Sequence, residues 1–373
     1  YFPSVAFAWR LSDEDFVPES ITDLKLRVGY GITGNQEFPG GAALTIQRFN
    51  RNNNLSAPRF SNPNLRWEQT SQLNAGLDFA FADGKVRGSL DVYSKKTDDL
   101  LLQLDSALPA PAPFFFANLD AEVVNKGFEF GIEGDIVSKE DVNWTSSFNL
   151  GYNKNEVTRI DRTIQTGAIS GPGLTGAFAQ VITEGAPLYS YFISEFEGFD
   201  ENGLSIETPA KLLDKSPLPD FTFGFSNYLT IKNFDLNVFF TGQVGAYIYN
   251  NNANAQFYQA ALAGGQNVTS NILNNGEAAT NGNGVSTRFL EDGSFLRLQN
   301  LAIGYNFSTD KINFIEKLRL SLTGQNLFVI TDYTGQDPEV NVDKSIGGVP
   351  SFGIDYSAYP RARTISLGLD VSF

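Results

Sequence analysis

The stretch ARTISLGLDVSF, Ala362 to Phe373, alternates apolar side chains with small or polar ones and ends on an aromatic residue. Successive strand side chains point to opposite sides, so Ile365, Leu367, Leu369, Val371 and Phe373 share one face. Thr364, Ser366, Gly368, Asp370 and Ser372 share the other. One face is apolar and the other is wet. In a soluble sandwich that pattern sets core against solvent; in a membrane barrel it sets lipid against lumen.

The same period recurs upstream. LKLRVGYGI places Leu24, Leu26, Val28 and Tyr30 on one face, with Lys25 and Arg27 opposite. FTFGFSNYLTI groups Phe221, Phe223 and Phe225, FDLNVFF groups Phe234, Leu236, Val238 and Phe240, and LRLSLTGQNLFVI sets Leu318, Leu320 and Leu322 against Arg319, Ser321 and Thr323. These are strand periodicities. With 13% aromatic residues, 35 glycines and few helical patterns, the 373-residue chain reads as β-rich throughout. No Pro/Ser linker or charge block divides it into domains.

Cysteine, histidine and methionine are absent. Without Cys there is no disulfide framework or thiolate metal site, and without His neither a Ser-His-Asp hydrolase nor a His-based zinc site can be built. An enzyme is therefore not expected, nor a cofactor or metal. The lack of Met at position 1 makes a processed or partial product the expectation, with any leader or further domain upstream. A net charge of −15 disfavours nucleic acid as a partner. No apolar run reaches the length of a transmembrane helix, but barrel strands escape that test because half of each faces water.

Turn spacing favours the barrel. QLNAGLDFAFADGKVRGSLDVYSKKTDDLLLQ, residues 72–103, is two long strands joined at Asp83-Gly84, a dipeptide suited to a tight hairpin. Further hairpins are expected at Ser138 to Asp141 and at Lys232-Asn233, with residues 308–316 turning on the same side. Between them lie long Asn/Gly/Pro-rich loops at about 35–66, 104–121, 161–187, 250–287 and 333–361. Short turns at one end and long loops at the other mark an outer-membrane barrel. The expected count is about thirteen strands, including a pair, Tyr189 to Phe199 and Leu204 to Thr208, turning at Asp200 to Gly203, which the up-down parity is taken to require. An odd number leaves unpaired edges, so the chain is expected to be the C-terminal portion of an all-β, antiparallel transmembrane barrel of about 22 strands.

Several segments carry a resemblance: FPSVAFAWRLSDEDF, NPNLRWEQTSQLNAGLDFAF, VVNKGFEFGIEGDI, GYNKNEV, PDFTFGFSNYLTIKNFDLNVFFTGQVG, LRLQNLAIGYNF, LTGQNLFVITDYTGQDPEVN and YPRARTISLGLDVSF. In this order they resemble the C-terminal barrel half of SusC-like TonB-dependent transporters over essentially the whole chain. The resemblance implies a bacterial outer-membrane importer with a plug domain and TonB-contacting segment outside these residues. It further implies a SusD-like surface lipoprotein as partner and a large nutrient, an oligosaccharide or a peptide, as substrate. Phe373 resembles the terminal aromatic signal read by the barrel assembly machinery.

Most strand aromatics are expected in girdles at the outer-membrane lipid interface. Phe114, Phe115 and Phe116, after the Pro-rich run, and Phe257 and Tyr258, in the Asn-rich loop, are the candidates for contact with lid or substrate. The acids of Asp200 to Gly203 and of Asp332 to Asp343 lack the spacing of a full EF-hand. Gly29 to Gly34 lacks the helix and acidic partner of a dinucleotide site. The competing reading is a passive porin or a surface adhesion barrel.

Overall fold

The computed structural model describes residues 1–36, 44, 47, 49, 54–55, 62–106, 114–310 and 314–373. Much of the expected loop 35–66 and the Pro109 to Pro113 run lie outside the described residues.

Eleven antiparallel strands follow one another in chain order across a single open sheet, the wall. They are β1 (Ser4–Arg10), β2 (Ile21–Asn35), β3 (Glu68–Phe81), β4 (Val86–Asp105), β5 (Phe114–Lys139) and β6 (Val142–Arg159). After a long excursion come β7 (Phe221–Ile231), β8 (Phe234–Val244), β9 (Phe295–Phe307), β10 (Lys317–Thr331) and β11 (Thr364–Ser372). Each pairs with the next in a register that puts apolar residues in line: Phe225 opposite Phe148 and Phe240, Leu320 opposite Tyr305 and Leu369. The apolar face is open, with Ile365, Leu367 and Leu369 more than three-fifths exposed. This is the lipid side, and the opposite face is the inner wall.

Tight turns close one rim. Ala82, Asp83 and Gly84 all take positive φ, as does Lys232 beside Asn233, the backbone that two-residue hairpins demand. The chain between β5 and β6 is Glu140-Asp141 alone. All long connections leave from the other rim, as the turn spacing predicts.

Two expectations are corrected. Among the described residues the wall has eleven strands, not about thirteen, because the pair at Tyr189 to Phe199 and Leu204 to Thr208 lies outside it. Phe196–Phe199 and Ser205–Glu207 do pair around the Asp200 turn, but as a separate two-stranded sheet. Strands of 4 and 3 residues are far short of the roughly 9–11 tilted residues a crossing needs. Strands removed in twos leave the up-down alternation intact, so parity never required them. The loop expected at 104–121 is the second case: β4 runs to Asp105 and β5 begins at Phe114, paired as Leu104 opposite Phe115. Leu119, Ala121 and Val123 bury there against Val157, Ile160, Ile182 and Val349, with Leu100, Leu102 and Leu104 alongside, so alternation continues above the membrane with its apolar residues on the inner side, covered by protein.

The connections at 160–220, 245–294 and 332–363 fold together into a loop domain. Short strands Ile164–Ala168, Phe178–Ile182, Ser190–Ile193 and Lys211–Leu212 make one small sheet. Tyr247–Asn250, Leu290–Asp292 and Ile354–Asp355 make another. The Asn-rich segment forms two short helices, Asn251–Gln256 and Gln259–Ala263, the first capped by the Asn250 side chain accepting from Ala253 N–H at 2.9 Å. Ile169, Leu174, Ala179, Tyr191, Ile193, Leu213, Tyr249, Phe289, Leu290 and Ile354 form its core, drawn from all three connections. Val123 and Val157 share the inner side of the wall with Thr97 and Asn125, so the domain rests on the inner face at the long-loop rim.

Candidate functional site: the inner wall and the loop domain

The inner wall is polar and cross-linked between strands. Arg27 of β2 donates from Nε and Nη2 to Asp78 of β3 at 2.9 and 2.8 Å, and its Nη2 reaches Asp91 of β4 at 2.9 Å. The reach spans an intervening strand because Gly76 lies beneath it: a Cβ there would stand 2.2 Å from Asp91 Oδ1. The device repeats at β8 to β10, where Arg319 holds Asp235 at 2.6 Å above Gly304, whose Cβ would sit 2.3 Å from the guanidinium. Glycine in these strands serves close approach of charged groups. Arg87 likewise pairs with Glu133 and Asp135. Around Arg319 the wall forms a groove of about 940 Å³, lined by Tyr228, Asp235, Asn237, Asn300 and Asp370 among others.

Side-chain amides carry this network up into the loop domain. Tyr93 donates to Asn153 at 3.0 Å, Asn153 and Asn155 donate to Asn125, and the Asn155 carbonyl accepts from Leu188 N–H at 2.8 Å. Arg297 of β9, 1% exposed, pairs with Asp337 at 2.6 Å and Glu339 at 2.9 Å and donates to Asn326. Glu339 also takes Arg361 at 3.0 Å. Asp337-Pro338-Glu339 thus fastens the last long connection to the wall.

Inside the loop domain, Arg288 donates twice to Glu277, at 2.8 and 2.7 Å, and lies 5.0 Å from the ring centres of Phe199 and Phe289. Burial opposes ionisation of Glu277, but the Arg288 fork and the Asn281 amide outweigh it and hold the carboxyl below the usual carboxylate range. Tyr191, wholly buried, donates to Tyr247 O and Gly353 O, both at 3.0 Å, and burial pushes its ionisation well above the ordinary tyrosine value. The Asp200 carboxylate accepts from Asn202 and Leu204 N–H within its own turn. Among the described residues no cluster of three acids stands ready for a metal.

The expected contact aromatics do not form one surface. Phe115 lies opposite Leu104 and so shares the inner side, whereas Phe114 and Phe116 pack edge to face on the other, 6.1 Å apart. Phe257 ends the first short helix and is half-buried. Tyr258 begins the second and is 9% exposed, too enclosed to meet a large solute. Phe373 extends the open apolar face of β11 and is 80% exposed. The Arg27, Arg319 and Arg297 networks were not singled out from the sequence, since nothing in a linear pattern pairs residues 51 or 84 positions apart. The signal available was a charged residue facing glycine on the polar side of a strand.

With a polar inner wall, a lipid face and one elaborated rim in place, the matches to known proteins are specific. The family model for the TonB dependent receptor-like β-barrel matches residues 1–327. This chain belongs to that family. Its β-barrel members are outer-membrane proteins, and the outer membrane is where this wall sits. Among curated relatives of the family, TonB-dependent receptor P3 of Formosa agariphila is 31% identical over all of this chain and 42% of its own length. TonB-dependent receptor SusC of Bacteroides thetaiotaomicron is 30% identical over all of this chain and 40% of its own length. The chain therefore spans about two fifths of these receptors. Among solved structures, the RagAB peptide importer in its closed-closed state superposes with a TM-score of 0.82 at 23% identity, over all of this chain and 43% of that one, a likeness of fold.

Proposed function

We propose that this β-barrel takes part in TonB-energised import of a large nutrient, an oligosaccharide or a peptide, together with a SusD-like surface lipoprotein that closes over the long-loop rim. The observation carrying this reading is the packed loop domain resting on the inner face, with its own apolar core and an amide chain down the wall. A mouth built that way suits controlled entry rather than open diffusion. SusC and the P3 receptor, matched along the whole chain, support it. The plug and the TonB-contacting segment of such an importer would lie in sequence beyond this chain, and about eleven more strands would complete a barrel of about 22. Within this proposal Phe373 serves as the assembly signal, and Phe115 of β5 and Phe257 of the loop domain are the aromatics that would meet lid or substrate.

The test is uptake by cells carrying the full-length receptor. Loss of growth on one nutrient class when either the receptor or TonB is deleted, with a surface lipoprotein co-purifying on the tagged receptor, is the expected result. Uptake that persists without TonB would favour the passive porin, and binding without uptake would favour the adhesion barrel.

A further inference from the structure

The lipid face of the wall ends, at the long-loop rim, in a row of charge. On β6 the outward residues from Trp144 to Tyr152 span nine positions, the length a tilted strand needs to cross a membrane. At the top of that span Val92, Phe128, Tyr152 and Phe221 lie side by side on β4 to β7, with ring centres 5.7 Å apart for Phe128 and Tyr152 and 4.9 Å for Tyr152 and Phe221. This is an interfacial aromatic row.

The next outward row, about 7 Å higher along the strands, reads Ser94, Lys126, Lys154. The two lysines are direct cross-strand partners, both exposed, and their Cβ atoms are about 5 Å apart by sheet geometry. Like charges so placed oppose strand pairing. Among the described residues, the neighbouring bases on the same side are neutralised: Lys96 by Glu122 and Asp98, and Arg159 by Asp120, Asp98 and Glu122. Glu156 stands one row above, opposite Val124. Lys95, next to Ser94, faces the inner side with Asn125. Among the described groups, Lys126 and Lys154 thus form a doubly positive pair without an acid, at the level where headgroups begin.

We propose that Lys126 and Lys154, with the Ser94 hydroxyl, grip the phosphate of a phosphorylated outer-leaflet lipid. Two ammonium groups on adjacent strands bracket a phosphate, which relieves the cross-strand repulsion, while the aliphatic stems lie along the acyl chains below. The inference rests on the outward orientation of this rim and is independent of what the barrel imports.

The experiment compares the full-length receptor with its Lys126→Gln/Lys154→Gln and Lys126→Arg/Lys154→Arg variants, each checked for the heat-modifiable gel shift of a closed barrel. The probe is diphosphorylated lipid A in phosphatidylethanolamine nanodiscs, measured by lipid retained on the receptor, against dephosphorylated lipid A. Wild type and the Arg variant should retain the phosphorylated form, and the folded Gln variant should bind it about thirtyfold more weakly, two basic contacts' worth. Equal retention by the folded Gln variant, or equal retention of the dephosphorylated lipid, overturns the proposal. Displacement by inorganic phosphate alone shows a free-anion site and overturns the lipid assignment. Should the Gln variant fail to fold, a wild type that retains both lipid forms equally refutes it without the variant.

Discussion

Wall and loop domain use the same residue types to opposite ends. Leu367 of β11 is 75% exposed and Ile354 of the loop domain is 0% exposed, yet both sit in β-strands and both are aliphatic. The wall turns its apolar side chains outward to lipid and holds itself together by a continuous hydrogen-bond ladder and ion pairs on its inner face. The loop domain turns its apolar side chains inward like a soluble protein. One chain therefore answers to two solvents, and a substitution should be costly in proportion to how far its surroundings can flow into the gap it leaves.

The joint between the two regions should be the most sensitive point. Arg297→Met leaves Asp337 and Glu339 facing one another without their shared cation, and breaking a buried ion pair on one side costs about 3–5 kcal/mol. The expected outcome is a receptor whose wall still shows a heat-modifiable gel shift while limited proteolysis cuts the 332–363 connection. Resistance of that connection equal to wild type would mean the wall and loop domain are joined elsewhere.

Next in size is the loop core. Ile354→Ala removes a wholly buried side chain where three connections meet, at about 2–5 kcal/mol for transfer plus cavity. Hydrogen exchange should rise across Tyr247–Asn250 and Ser190–Ile193 and stay unchanged in β7 and β8. A uniform rise through the wall would show that the two regions unfold as one and would end the distinction drawn between them.

How far each region could be read in advance follows from this physics. Period-two alternation in Phe234, Leu236, Val238 and Phe240 is a local signal, because lipid covers the face whatever lies elsewhere in the chain. The tight turns at Asp83-Gly84 and Lys232-Asn233 are local too. The loop domain is not: Tyr191 finds its acceptors at Tyr247 and Gly353, and Arg297 finds Asp337, partners set by tertiary folding alone. The same blindness put a short hairpin around Asp200 into the wall and stopped β4 and β5 too early, since alternation cannot say whether lipid or Val349 covers Leu119. Placement in a loop does not make an aromatic a contact residue: Tyr258 is buried because a loop long enough to fold acquires a core of its own.

A smaller effect separates the regions by pH. Glu277 is held below the usual carboxylate range, so it contributes stability that is present above its unfolded pKa and lost as pH falls through the lower, folded one. Protease nicking within 246–293 should therefore rise in acid before the wall changes. Glu277→Gln should nick faster at neutral pH and show a flatter acid profile; a profile identical to wild type would remove Glu277 from the account.

The smallest effect belongs to the wall's outer face. Leu367→Ala deletes as much apolar volume as a core substitution, but acyl chains close over the gap, so only the transfer part remains, about 1–2 kcal/mol. The difference from Ile354→Ala is the cavity contribution itself, which exists only where neighbours are fixed. Urea unfolding of the full-length receptor in lipid vesicles measures the first, and the same titration followed by a probe in the loop domain measures the second. If Leu367→Ala proved as costly as Ile354→Ala, the β11 face would be packed against protein rather than lipid, and the assignment of outer and inner sides would have to be reversed for every strand registered to it, from Leu320 of β10 to Tyr305 of β9 and Phe234 of β8.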